Sequence, residues 1–158
     1  MSVFCVGAIL LPSLNYGRPG TPLASDAFDG QRYVIGQRGV VQQGNTGASV
    51  LATLAHRWGY SVAPASSPVE PFPNEFVSLA RDYGFRGHWV GTERSALESL
   101  PTPFIVRIRD ERVSYLLVNE VRNDYVYATD PNVGNVLYPL KHFLKGWQKQ
   151  AFVLEARQ

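Results

Sequence analysis

A nucleophile needs activation, and a helix N-terminus is one place where proteins supply it. Unpaired N–H groups and partial positive charge gather there. The stretch Val40–Gly59, VVQQGNTGASVLATLAHRWG, has that form. Two glutamines (Gln42, Gln43) and Gly44 make a turn, and Asn45 is suited to cap a helix. Apolar residues recur at Val50, Leu51, Leu54, Ala55 and Trp58, which share one face of a 3.6-residue helix, and Gly59 is its stop. The first helical position, where a thiolate would be stabilised, holds Thr46. Ser114 stands in an extended run, and Asp130 opens the turn Asp130-Pro131-Asn132-Val133-Gly134. Taken singly, each has a plain structural reading. Threonine is common at helix starts, serine suits the polar face of a strand, and Asp…Gly is a good turn.

The remaining candidates are few. The three histidines, His56, His88 and His142, show no ligand spacing. His56 lies ten residues beyond Thr46, about 15 Å along the same helix at 1.5 Å per residue, too far to act as its base. The one cysteine, Cys5, excludes an internal disulfide and a cysteine-based zinc site. No cofactor or metal is expected. A net charge of +2, with basic and acidic residues alternating as in Arg107–Arg112, gives no case for nucleic acid.

The elements that must position these residues follow from the pattern. The chain has 158 residues, the size of one domain. Residues 1–31 read as an apolar segment followed by a Gly/Pro/Ser-rich lead-in, and 32–158 as the domain. The apolar run Ser2–Leu14 has the length of a signal-peptide core but no Lys/Arg region before it. It is too short to span a bilayer. A segment packed on the domain is the other reading. Tyr33–Ile35 form a short apolar element. After the Thr46 helix comes a proline-rich loop, Ser61–Pro73, then a helix capped by Asn74 and stopped by Gly84. A short strand over 85–91 and a helix over 92–100 capped by Thr92 follow. From Phe104 the pattern becomes extended: strands near 104–109, 112–121, 125–130 and 135–139, a helix over 139–147, and a last strand. The expectation is an α+β domain, helical in its N-terminal half and packed on an antiparallel sheet from the C-terminal half.

Three stretches carry a family resemblance: VVQQGNTGASVLATL, VSYLLVNEV and YVYATDPNVGNVLYPLKHFLKGW. Their order and spacing resemble the papain-like cysteine peptidases that cut bacteriocin-type leaders after a double glycine. The likeness runs over roughly residues 35–155. It implies a papain-like fold, with the nucleophilic cysteine's place taken by Thr46 and the general-base histidine's by Ser114. The orienting aspartate is kept as Asp130, and the oxyanion glutamine falls on Gln42 or Gln43. Serine does not accept a proton near neutral pH, and an unactivated threonine is a poor nucleophile. The resemblance therefore implies a catalytically inactive, peptidase-like domain that binds an extended secreted or leader-type polypeptide in bacterial export. Its groove is expected near Thr46, Ser114 and Tyr115, with aromatic walls from Trp89 and Tyr138. A residual or altered hydrolase and a regulatory partner of an active paralogue are the alternatives. The cell envelope or periplasm is the expected location, with the cytoplasm as alternative.

Overall fold

The computed structural model describes residues 32–60, 67–109 and 112–155. The N-terminal apolar segment and Cys5 lie outside these residues.

Strands β3 (Phe104–Arg109), β4 (Val113–Arg122), β5 (Tyr125–Asp130) and β6 (Gly134–Pro139) follow one another as an antiparallel meander. The turn between β4 and β5 places Asn123 and Asp124 at positive φ (52° and 66°), a backbone that suits short polar side chains. The last strand, β7 (Trp147–Leu154), returns to pair with β3. Two strands that precede the meander, one of them the strand expected over 85–91, complete the sheet. β1 (Tyr33–Gly36) pairs with β6, and β2 (Gly87–Gly91) pairs with β7. The sheet among the described residues is thus seven-stranded, in the order β1-β6-β5-β4-β3-β7-β2. The two added strands are the short edges, which cover ladder groups that the longer strands would leave open. β4 lies at the centre.

Strand alternation divides the apolar side chains between two layers. Ile105, Tyr115, Leu117 and Phe152 face helices α1 (Thr46–Arg57) and α2 (Pro73–Asp82). Phe104, Val106, Leu116, Val118, Val126 and Val136 pack with Leu140, Phe143 and Trp147, which come from helix α3 (Leu140–Gly146) and the start of β7.

Helix α1 is buried at every position from Thr46 to Ala55. Leu51 and Leu54 are core residues, as their spacing predicts. Trp58 is not: it is 44% exposed. The helix ends one residue earlier than expected. Gly59, at φ +77°, turns the chain away, and the Trp58 ring packs edge-on against Phe85 at 5.3 Å. At this end Arg57 donates to Asn119 on β4 (2.7 Å) and to Thr129 on β5 (2.8 Å).

Two other helix starts differ from expectation. α2 begins at Pro73 rather than after an Asn74 cap, because proline's fixed φ suits the first helical position. There the Phe72 N–H donates to the Glu75 carboxylate at 2.8 Å. The helix expected over 92–100 is a 3-10 helix, Arg94–Ser99, preceded by Glu93 rather than capped by Thr92.

Leu54→Ala is expected to cost about 2–5 kcal/mol, the range for truncating a buried leucine. A urea melt checks this, and a loss below about 0.5 kcal/mol, the size of an ordinary surface change, would contradict the packing described.

Candidate functional site

The first turn of α1 carries more polar contacts than a helix end needs for capping alone. Asn45 Oδ1 accepts from the Ala48 N–H at 2.7 Å, the predicted cap. The preceding loop is tied to the helix it leads into. The Gln43 N–H donates to Ser49 Oγ at 2.8 Å, and the Val41 N–H to Thr53 Oγ1 at 2.9 Å. Thr46, only 4% exposed, points its hydroxyl at β4 and accepts from the Tyr115 N–H at 2.8 Å. The β4–β5 ladder begins at Leu117↔Thr129, so Tyr115 lies past its end. A side chain from α1 takes up the backbone group there. The structure thus brings Thr46 to the peptide that joins Ser114 and Tyr115.

The N–H groups of this turn meet a carboxylate that sequence reasoning missed. Glu70 accepts from the Thr46 N–H through both oxygens (3.0 and 2.8 Å) and from the Gly47 N–H through Oε1 (3.1 Å). A negative charge at a helix N-terminus is favoured by the helix dipole, and its hydrogen bonds are charge-assisted. Glu70 is the only acid in the proline-rich loop Ser61–Pro73. A lone carboxylate among prolines was the available signal.

The segment around Glu70 is held by three other donors. Asn45 Nδ2 donates to the Ser67 carbonyl (2.7 Å), the Tyr115 hydroxyl to the Pro71 carbonyl (2.6 Å), and the Trp89 indole N–H to the Pro73 carbonyl (2.8 Å). The Pro71 ring lies against Gly47, where a Cβ would come within 2.8 Å of Pro71 Cγ. Beneath the segment, Phe76 stacks on Tyr115 with ring centroids 4.7 Å apart, and Trp89 meets Phe152 edge-on at 5.4 Å. Burial pushes the Tyr115 phenol well above its ordinary pKa, although the Arg107 guanidinium, 5.4 Å from the ring centroid, acts the other way. The phenol stays protonated and serves as a donor.

Asp130 ends β5, nearly buried. Its Oδ1 accepts from the Asn132 N–H at 2.9 Å, and its Oδ2 lies 3.7 Å from Arg32 Nη1. Alternation puts Ser114 with Leu116 along β4 and Asp130 with Val126 and Ala128 along β5, on the face of the sheet away from α1. Ser114 and Asp130 therefore share a face of neighbouring strands. Gln42 Nε2 donates to the Pro131 carbonyl at 2.8 Å, beside Asp130. Gln43 is buried, with its backbone committed to Ser49.

The expected aromatic walls do not enclose one groove. Tyr115 and Trp89 belong to the layer under α1 and α2. Tyr138 belongs to the opposite layer, edge-on to Phe143, with its hydroxyl accepting from Arg32 at 3.0 Å. The sheet lies between them, because alternation along β6 places Tyr138 with Val136 on the far face. Nor is Trp89 an open wall, since its indole N–H is taken by Pro73. Among the described residues, no histidine is a hydrogen-bond partner of Thr46. His56 is exposed in the last turn of α1, His88 is an exposed residue of edge strand β2 with Nδ1 3.9 Å from Glu155, and His142 lies on α3. Among the described residues, no group of three or more His, Cys, Asp or Glu side chains could hold a metal ion. None of the described helices is long and apolar enough to cross a membrane.

The model of the peptidase C39 family matches residues 73–158, more than half of the chain. The chain belongs to that family. The match includes Ser114 and Asp130 and begins after α1. Solved C39-type domains share the fold. The peptidase domain of Streptococcus ComA, a bi-functional ABC transporter involved in quorum sensing, is 23% identical, with a TM-score of 0.59 over 75% of this chain and 98% of that one. A double-glycine-motif protease from an AMS/PCAT transporter, solved with its leader peptide, is 17% identical, with a TM-score of 0.58 over 83% and 97%. The N-terminal peptidase C39-like domain of a Vibrio parahaemolyticus toxin secretion ATP-binding protein is 15% identical, with a TM-score of 0.60 over 72% and 98%. No curated protein sequence matches the chain. The papain-like α+β architecture of C39 peptidase domains is therefore the fold of this protein.

Thr46→Val keeps the shape of the side chain but removes the acceptor for the buried Tyr115 N–H. It is expected to cost about 1–3 kcal/mol, the penalty for an unsatisfied buried donor, whereas Thr46→Ser keeps the hydroxyl and should cost clearly less. Urea melts of the two variants decide; equal losses would show that the hydroxyl is not what matters.

Proposed function

We propose that this C39-family domain does not cleave peptides and that it binds an extended polypeptide, a secreted or leader-type chain, in a bacterial export setting at the cell envelope. One observation supports inactivity above all: the N–H and the hydroxyl oxygen of Thr46 both have protein partners, Glu70 and the Tyr115 N–H. Peptide cleavage passes through an oxyanion, which needs donors held ready in a water-poor site. Here a carboxylate already occupies the helix N–H groups, and an incoming oxyanion would meet its charge. Of the two candidate glutamines, Gln42 donates one amide N–H to the Pro131 carbonyl. Asp130, the position of the orienting residue, faces Arg32 rather than an imidazole.

Support for binding comes from the same turn. Asn45, Tyr115 and Trp89 present side-chain donors to the carbonyls of Ser67, Pro71 and Pro73, which is how a groove holds a chain through its backbone. One structural relative was solved holding a leader peptide. Affinity is expected in the micromolar range, about −8 kcal/mol.

Incubation with a synthetic double-glycine leader peptide, followed by mass spectrometry, should find the peptide intact. The double change Thr46→Cys with Ser114→His should give at most slow cleavage, and adding Glu70→Ala should speed it by freeing the helix N–H groups. Cleavage by the unaltered protein would refute the reading.

A further inference from the structure

The segment Ser67–Pro73 is anchored to the body of the domain by six hydrogen bonds made at four of its residues. Asn45, Tyr115 and Trp89 grip carbonyls at 67, 71 and 73, and Glu70 alone accounts for the bonds to Thr46 and Gly47. The anchors come from α1 with its cap, β4 and β2. The apolar side chains that flank the latch point outward: Val69 is 72% and Phe72 66% exposed. This inverts what a core-building loop does. The segment turns a half-buried carboxylate and three carbonyls toward the domain and shows the Val69 and Phe72 side chains to solvent. It is held as a bound peptide is held, through carbonyls and one charged side chain.

We propose that Ser67–Pro73 is an intramolecular strap that occupies the polypeptide-binding cleft of this domain, with Glu70 as its latch, so that an external chain gains the cleft only when the strap is displaced. That a polypeptide-binding cleft lies beneath the strap rests on the binding reading above. A tethered segment competes at high effective concentration. The apparent affinity for an external chain is then reduced by the fraction of molecules whose strap is open. Two substitutions release the strap from opposite sides. Glu70→Ala removes the latch. Gly47→Ala adds a methyl group where the Pro71 ring now lies, in a helix that alanine favours.

The test uses the full chain and amide hydrogen exchange read by NMR. The Thr46 and Gly47 amides are expected to exchange at least tenfold faster in both variants than in the unaltered protein, with the rest of α1 still protected. The variant made on the helix side keeps the test alive if Glu70→Ala fails to fold. A synthetic peptide of the strap's own sequence, SPVEPFP, should restore protection in Glu70→Ala and leave the unaltered protein unchanged. Unchanged exchange in both variants, or no protection by SPVEPFP, would overturn the strap. A double-glycine leader peptide separates this from the functional reading. If it binds Glu70→Ala at least tenfold more tightly than the unaltered protein, strap and reading both stand. If SPVEPFP protects but the leader peptide binds neither protein, the strap stands and the leader-binding reading falls. Equal leader binding to both proteins keeps the reading and overturns the strap.

Discussion

The buried N-terminus of α1 is the constraint from which the rest follows. A helix end leaves N–H groups without intrahelical partners, and in a buried site water does not supply them. Here α1 is covered from its first residue. The Thr46 and Gly47 N–H groups go to Glu70, and that of Ala48 to the Asn45 side chain. Satisfying them fixes the position of Glu70. That in turn places Pro71 under the Tyr115 hydroxyl and Pro73 under the Trp89 indole, where α2 starts. At the other end Arg57 ties α1 to β4 and β5. The central helix is thus held over the central strand at both ends, and the chain between the two helices is drawn across it.

The same solution bears on chemistry. The start of α1 meets β4, the strand that holds Ser114, through a hydrogen bond from the strand backbone to the Thr46 hydroxyl. That hydroxyl accepts a buried N–H, which ties the helix start to the strand. The Thr46 N–H, bound to a carboxylate, is set up to hold a negative charge that is already there. The turn is well suited to fasten an acidic, extended segment and poorly suited to stabilise a charge that appears only during reaction.

Much of this fold was legible in the sequence where local signals and tertiary packing agree. The Asn45 cap, the Gly59 and Gly84 stops and the alternation from Phe104 onward each have a local cause, and the elements stand there. The family resemblance carried the architecture. What escaped depends on partners distant in the chain. Tyr33–Gly36 becomes a sheet edge by pairing with β6, and the strand expected over 85–91 becomes the other edge by pairing with β7, neither pairing being legible locally. Trp58 lies on the apolar stripe by spacing, yet the helix stops beneath it. Tyr138 was expected beside Tyr115, but the sheet separates them, a distinction that needs strand register. Glu70 sits in a loop with no periodicity, and its role comes from a helix that starts 24 residues earlier.

The central claim is that the helix N-terminus at Thr46 fastens a chain and performs no bond cleavage. Covalent labelling reads this most directly. The unaltered protein, incubated with a fluorophosphonate or peptide-aldehyde probe that traps activated hydroxyl nucleophiles, should keep its unmodified intact mass. A stoichiometric adduct that peptide mapping places on Thr46 would contradict the account.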